Sequence, residues 1–271
     1  MTKMLLSRMG RTHEIAVLFA NTGCEHEETL RFVHACDTHL GFNTVWLEAV
    51  PVMGARAGTQ ARRVSFETAS RDGLPFSSVI SKYGIPNAKF PHCTRELKER
   101  PIAWWVHSVM GWPRLSYDLA IGIRADEMDR VSPRRDSLRL IYPLVEAGVT
   151  KEDVRRACAA WSFNLRIPGD HFGNCTWCWK KSFRKLMTLA KEAPDVFDFP
   201  AQMEREYETF RKDEKTDPIR FFRQSKTVAD LFAMAEQPFT PYADTPLPFD
   251  ESLDVGSGCG ESCEIGADDH A

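Results

Sequence analysis

Residues 15–23 read Ile-Ala-Val-Leu-Phe-Ala-Asn-Thr-Gly. The run Ile15 to Phe19 is short and continuously apolar, the pattern of a strand buried on both faces of a sheet. It ends in Ala20-Asn21-Thr22-Gly23, a turn. Downstream, Leu30, Val33, Cys36 and Leu40 recur at helical spacing, and Gly41 follows as a stop. Val45-Trp46-Leu47 reads as a second strand and Val64-Ser65-Phe66 as a third. Pro75 to Tyr83 reads as a short helix. Ile102, Trp105, Val106 and Val109 mark another, with Pro101 at a favoured first-turn position. Leu119 to Ile123 is the next apolar strand. Strands that alternate with helices and are themselves nearly all apolar predict an α/β fold: a parallel sheet with helices on both faces. Upstream, Met4, Leu5, Leu6 and Met9 before Gly10 resemble the end of an amphipathic helix.

The later chain changes character. Thr150 to Asp153 is a capping-box start for a helix carrying Val154, Ala157, Cys158 and Trp161 on one face. From about residue 165 the pattern becomes helical, with helices over 176–191, 202–212 and 227–235. From Pro238 it is Pro- and Gly-rich and then acidic, without a Lys or Arg. The predicted organisation is an α/β part over 1–164, a helical Cys-containing part over 165–237, and a tail over 238–271.

Composition narrows the class. The chain has 271 residues, 43% hydrophobic and 11% aromatic, which excludes a disordered polymer. Its 35 Lys and Arg against 38 Asp and Glu give a net charge of −3, unlike a polybasic nucleic-acid binder. No apolar run approaches the roughly eighteen residues of a membrane span, and the N-terminus lacks a secretory cleavage pattern. The expectation is a soluble, cytoplasmic protein without a membrane partner. Eight cysteines then point to metal, redox or core roles rather than a disulfide framework.

Four features carry candidate chemistry. In open parallel sheets ligands bind outside the carboxyl ends of strands, where Asn21-Thr22-Gly23 falls; the plain alternative is a strand-to-helix turn. Gly122-Ile123-Arg124-Ala125-Asp126-Glu127, with Arg130, delivers arginines to the same edge, and the planar guanidinium fork suits phosphate or sulfate. Cys93-Thr94-Arg95-Glu96-Leu97-Lys98 puts a thiol and two cations at one helix start, which lowers a thiol pKa and attracts anions. Cys36 and Cys158 fall on apolar helix faces and read as core, while Cys24 suits either role. That leaves Cys175-Thr176-Trp177-Cys178 at a helix start and Cys259-Gly260-Glu261-Ser262-Cys263 roughly eighty residues on. The two pairs together suit a metal, either zinc with four thiolates or an iron–sulfur cluster that takes Cys93 with the first pair. Redox or structural thiols remain the alternative for Cys175 and Cys178. For Cys259 and Cys263 the rival reading is a mobile nucleophilic thiol or a reversible disulfide. The tryptophans at 104, 105, 112, 177 and 179 read as packing, because no basic groove accompanies them.

Taken in order, Phe19 to Gly23, Glu28-Thr29, Phe66 to Ala69, Cys93 to Lys98, Gly122 to Arg124 with Arg130, Tyr142-Pro143-Leu144 and Gly173-Asn174-Cys175 with Cys178 resemble the phosphoadenosine-phosphosulfate (PAPS) reductase family. That family belongs to the PP-loop, or adenine nucleotide alpha-hydrolase-like, superfamily. The likeness covers nearly the whole chain and is greatest to the short versions common in bacteriophage genomes. It implies a five-stranded parallel α/β sheet, with 1–164 as a nucleotide-binding domain. Asn21, Thr22 and Gly23 would line the adenosine pocket beside Gly122, and Lys98, Arg124 and Arg130 would face phosphate or sulfonate. Family members either reduce the activated sulfur with a C-terminal cysteine and a thioredoxin-like donor, or use ATP and often an iron–sulfur cluster to install sulfur in nucleic acid.

Two departures accompany the likeness. The family's Ser-Gly-Gly-x-x-Ser phosphate loop is absent, which suggests that Met1 is an internal methionine and that roughly twenty or more residues precede it. The tail carries Cys259 to Glu264 where the reductases have Glu-Cys-Gly-Leu-His. The leading expectation is a PAPS-reductase-like enzyme binding PAPS or ATP, with Cys259, Cys263 and Cys93 as candidate catalytic thiols. The alternatives are an ATP-dependent sulfurtransferase acting on nucleic acid and an inactive, metal-stabilised nucleotide-binding protein.

Overall fold

The computed structural model describes residues 1–54, 58–210, 218–245 and 247–254. The chain is a mixed α/β protein. It begins with α1 (Thr2–Met9), followed by β1 (Leu18–Asn21), α2 (Glu27–Leu40) and β2 (Val45–Pro51). β1 and β2 pair in parallel from Leu18 against Val45 to Asn21 against Glu48. A parallel pair needs a crossover, and α2 supplies it. The helix is capped by His26, whose Nδ1 accepts the Glu28 N–H at 3.1 Å, and it ends at Gly41 with φ 63°. Leu30 and Cys36 are its buried face.

β3 (Thr59–Val64) runs antiparallel to β2, from Trp46 against Val64 to Pro51 against Thr59. The expected strand at 64–66 is therefore displaced and reversed. Only residues 52–58 join β2 to β3, too few for a parallel crossover but enough for a hairpin. α3 (Leu74–Tyr83) and α4 (Arg100–Ser108) follow, α4 being extended backwards by one π-helical turn, Arg95–Glu99. β4 (Leu119–Ala120) and β5 (Leu140–Ile141) form a separate parallel pair. Among the described residues the strands thus form a three-stranded mixed sheet and a two-stranded parallel one, not one uniformly parallel sheet. β1 also starts three residues later than expected, and Leu18, Phe19 and Ala20 are half-buried, not enclosed on both faces.

The remaining helices are α5 (Pro143–Glu146), α6 (Lys151–Ala159), α7 (Phe183–Glu192), α8 (Asp198–Tyr207) and α9 (Val228–Glu236). The capping box at Thr150 and Asp153 forms as expected, and Thr227 with Asp230 builds a second one on α9. α7 starts seven residues after the expected 176, because Ser182 caps it and 176–181 are turns. The main core joins Phe76, Val79, Ile80 and Leu97 from the first half to Trp177, Leu186, Leu189, Phe197 and Leu231 from the second. Packing is therefore shared across residue 165.

Glu204 on α8 accepts the N–H of Val228, the first residue of α9, at 3.0 Å. Burial raises its carboxyl pKa. A raised acid holds its proton longer in the folded chain, so its contribution is present at low pH and declines as pH rises past the unfolded value. Relative to Glu204→Gln, the wild type is expected to lose stability as pH rises through the carboxylate range. Denaturant melts between pH 4 and 7 read this as ~1 kcal/mol or less per unit; parallel curves for the two proteins would refute it.

Candidate functional site

The turn after β1 is an interior hydrogen-bond hub. Asn21 is fully buried; its amide donates to Glu48 Oε1 at 2.8 Å and to the Ser70 carbonyl at 2.9 Å. Glu48, also fully buried, further accepts the Ser70 N–H at 2.6 Å and a two-nitrogen grip from Arg62 at 3.0 and 2.7 Å. Gly23 sits at φ 78° and its carbonyl accepts the Gly73 N–H at 3.0 Å. A Cβ on Gly23 would lie 2.8 Å from Ser70 Oγ and 3.0 Å from the Gly73 backbone, so this close approach requires glycine.

Thr22 points the other way. Its N–H and hydroxyl both donate to the Glu25 carboxylate, at 3.0 and 2.8 Å. The hydroxyl oxygen lies 3.3 Å from Cys175 Sγ. A hydroxyl has one hydrogen, and the charged oxygen takes it, so in this contact the sulfur is the donor. Glu25 pairs antiparallel with Cys175, and the Thr176 N–H donates to the Cys24 carbonyl at 2.8 Å. The turn at the end of β1 and the Cys-x-x-Cys segment are therefore laced together.

That segment is held from within. Asn174 takes φ 58° just ahead of Cys175, and the Cys178 N–H closes a turn onto the Cys175 carbonyl at 2.9 Å. Lys181 is buried, and its ammonium donates to the carbonyls of His171 at 2.5 Å and Thr176 at 2.6 Å. The expected placement of Cys175 and Cys178 at a helix start is corrected: they lie in a turn ahead of α7, whose start is set by Ser182.

The Cys93–Lys98 stretch faces the same place. Thr22, Cys93, Thr94, Leu97, Lys98, Cys175 and Cys178 line one small cavity with Phe76, Trp177 and Trp179. Cys24 is buried in the same core cluster, and burial, then Cys175 and Glu25, push its thiol well above the ordinary range despite a hydrogen bond from Trp177. Glu96, fully buried beside the cavity wall, accepts from Thr59 at 2.5 Å and from Arg95 at 3.0 Å.

Arg124 and Arg130 are brought together with each other. Both guanidinium groups pair with Glu127, at 3.2 and 2.5 Å, and Arg124 also bonds Asp126 at 3.1 Å. Among the described residues no hydrogen bond or ion pair links either arginine to the thiol cavity. Gly122 is exposed, with Met1 Sδ 4.0 Å from where its Cβ would lie.

Cys259 and Cys263 lie outside the described residues. Among the described residues, no group of three or more His, Cys, Asp or Glu side chains is placed to hold a metal ion, and no helix is long and apolar enough to cross a membrane.

Cys36 is buried as expected, but Cys158 is half-exposed. Burial, then Asp37 and Cys158, raise the Cys36 thiol to about 11. At pH 8 roughly one Cys36 in a thousand is a thiolate. Native-state alkylation followed by mass spectrometry should label Cys36 at least about tenfold more slowly than a free thiol of ordinary pKa. Equal rates would show that its burial is not maintained in solution.

Glu25, Glu48 and Lys181 were not singled out by their sequence positions, while Trp179, read as packing, lies in the main core. For Glu48 a signal existed, since it is the one acid within Val45 to Val50. Glu25 and Lys181 acquire their partners only when distant segments meet.

No family model matches the chain, and no solved structure does. Among curated proteins it is similar to "Uncharacterized nin region protein ORF290" of Escherichia phage lambda, 31% identical over 182 residues. The match covers 66% of this chain and 61% of that protein, so the chain spans about three-fifths of the length of the relative it matches.

Proposed function

We propose that the chain binds an adenine nucleotide at the carboxyl edge of β1 and acts on an activated sulfur group, as the PAPS reductase family does. The observation that carries this reading is the convergence of Thr22, Cys93, Lys98, Cys175 and Cys178 on one cavity. Three segments far apart in sequence supply a strand-end turn, a cation and thiols, the parts that sulfonucleotide chemistry needs.

The roles follow from the contacts. Glu25 fixes Thr22, and Thr22 receives the Cys175 thiol. Lys98 offers positive charge at the wall, where an anionic group would be drawn. Cys93 begins the helix that runs into α4 and lines the cavity from that side. Asn21 serves by holding Glu48, because its amide has no surface left for a base. The cavity is too small for a nucleotide, so the adenosine lies outside it and only the reacting group approaches the thiols. The described thiols do not complete a metal site, and the reading gives no step to a metal. A thioredoxin-like reductant would regenerate the thiols, and the working compartment would be the cytoplasm.

Equilibrium dialysis with PAPS and ATP tests the reading. Arg124→Ala should weaken nucleotide binding by about 10- to 100-fold, the worth of a charge-assisted hydrogen bond. Its melting temperature should barely move, because the ion pairs it loses are at the surface. Unchanged affinity removes Arg124 from the site; no binding of either nucleotide by the wild type overturns the proposal. Oxidation of reduced thioredoxin should require PAPS and be abolished by Cys259→Ser or Cys263→Ser. Pyrophosphate exchange into ATP would instead favour a sulfurtransferase.

A further inference from the structure

The segment that follows α9 does not lie flat on the helices. With Met187 of α7 and Met234 of α9 it walls an open cavity of about 800 Å³. Small-molecule sites commonly span roughly 300–1,000 Å³, so the space suits a whole ligand and not a single atom. Phe239 and Phe249 supply its aromatic wall. Phe249 is 61% exposed, and among the described residues no ring or cation lies against it. Phe239 already carries a cation, with Lys191 Nζ 4.7 Å from its ring centroid, so an aromatic face of this wall takes positive charge.

The polar part of the wall is acidic. Asp250 and Glu251 line it, and the chain from Pro238 onward contains no Lys or Arg. Glu251 is exposed and, among the described residues, has no hydrogen bond or ion pair. Asp250 accepts the N–H and hydroxyl of Ser252, at 2.9 and 2.6 Å, but no cation pairs with it among the described residues. Arg184, the cation in the lining, is already gripped by both oxygens of Asp254. α9 also ends here, at Glu236, and the carbonyls of its last turn add partial negative charge. We propose that this cavity binds an organic ammonium ion with an apolar body. The body lies along Met187, Met234 and Phe239, and the charged end lies between Phe249 and the carboxylates of Asp250 and Glu251. An anion would meet two carboxylates there, and a neutral ligand would forgo their attraction. The site shares no lining residue with the thiol cavity, and it stands independently of the nucleotide reading.

The test is calorimetric titration of the full chain with phenethylammonium chloride. 2-Phenylethanol and 3-phenylpropionate, which carry the same ring with a neutral and a negative end, are the controls. Saturable binding of the ammonium is expected, with both controls at least about threefold weaker. The double variant Phe249→Ala with Glu251→Gln should weaken ammonium binding by about three- to thirtyfold, the combined worth of one exposed cation–π contact and one exposed ion pair. Both positions are exposed, so the variant should fold, and circular dichroism checks that it does. Equal binding of the three probes would overturn the assignment to an ammonium ion. Unchanged affinity in the folded double variant would remove the ligand from this cavity. No saturation in the full chain, with the space left to water or to residues 255–271, would overturn the site altogether.

Discussion

Glu48→Ala is expected to destabilise the protein by about 2–5 kcal/mol, the cost of leaving two interior donors without an acceptor. The carboxylate has no exposed surface and answers four donors: the Asn21 amide, the Ser70 N–H and two Arg62 nitrogens. Its loss leaves the amide and the N–H unsatisfied in the interior, and Arg62 turns to solvent, to which it is already half open. Glu48→Gln keeps an acceptor for one of these donors but places an amide N–H₂ among others, so it should recover only part of the loss. Denaturant melts measure both. A cost below about 1 kcal/mol for the alanine variant would mean that the network is a local decoration. The same substitution should loosen the Thr22 turn, because Asn21 anchors that turn to β2 through Glu48.

The second large effect lies at the far end of the chain. Arg184 at the start of α7 is 4% exposed and grips Asp254 with two nitrogens at 2.7 and 2.8 Å. It also donates to the carbonyls of Thr240 at 2.8 Å and Pro248 at 3.3 Å. One side chain therefore ties three points of the segment 238–254 to the helix. Tyr242 adds a lighter tie, its N–H donating to Thr188 Oγ1 at 2.8 Å and its ring lying under Lys185. Arg184→Ala should cost about 1–3 kcal/mol, the worth of the charge-assisted hydrogen bonds it removes, because Asp254 and the two carbonyls keep access to water. Chymotrypsin should then cut at Phe239, Tyr242 or Phe249 at least tenfold faster than in the wild type. Arg184→Lys, which keeps the charge and loses the fork, should fall between the two. Cleavage at the wild-type rate would show that apolar packing alone holds the segment.

This tie also has a pH sign. The Arg184 hydrogen bond is the leading influence that draws the Asp254 carboxyl below the usual carboxylate range. A depressed acid contributes stability above its unfolded pKa and loses it as pH falls through its folded one. Acidification should therefore release the segment before the rest of the chain unfolds, and Arg184→Ala should abolish that step.

Local signals on this chain were strong wherever one segment completes its own hydrogen bonds. Leu30 to Leu40 with Gly41 shows α2 and its stop, and Thr150 with Asp153 shows the start of α6, because cap, periodicity and stop lie within one helix length. The same holds for Thr227 and α9. Strand-like runs revealed that strands exist but not how they pair. The apolar run around residue 64 carries no sign of its partner's direction, and the short connection from β2 made it antiparallel. Ile15 to Phe19 is as apolar as an enclosed strand, yet how far it is covered depends on neighbours that the run does not specify.

The candidate site divides in the same way. Residue types with marked chemistry, the cysteines at 93, 175 and 178 and the Thr22 turn, stood out by kind and spacing before any fold was known. That these segments share one cavity is a tertiary fact, made by the lacing of Cys24 to Thr176 and Glu25 to Cys175 over about 150 residues of chain. Arg124 and Arg130 were marked by type as anion ligands, but the fold gives them Glu127 as a shared counter-ion. Lys181 and Trp179 are ordinary in sequence and become notable only through burial, one with two carbonyls to hold and the other with an N–H still to satisfy. Sequence alone determines which groups can bond and where a helix closes on itself. Only the packed chain decides which of those groups water can no longer reach, and there an unmet hydrogen bond or charge becomes costly enough to define a site.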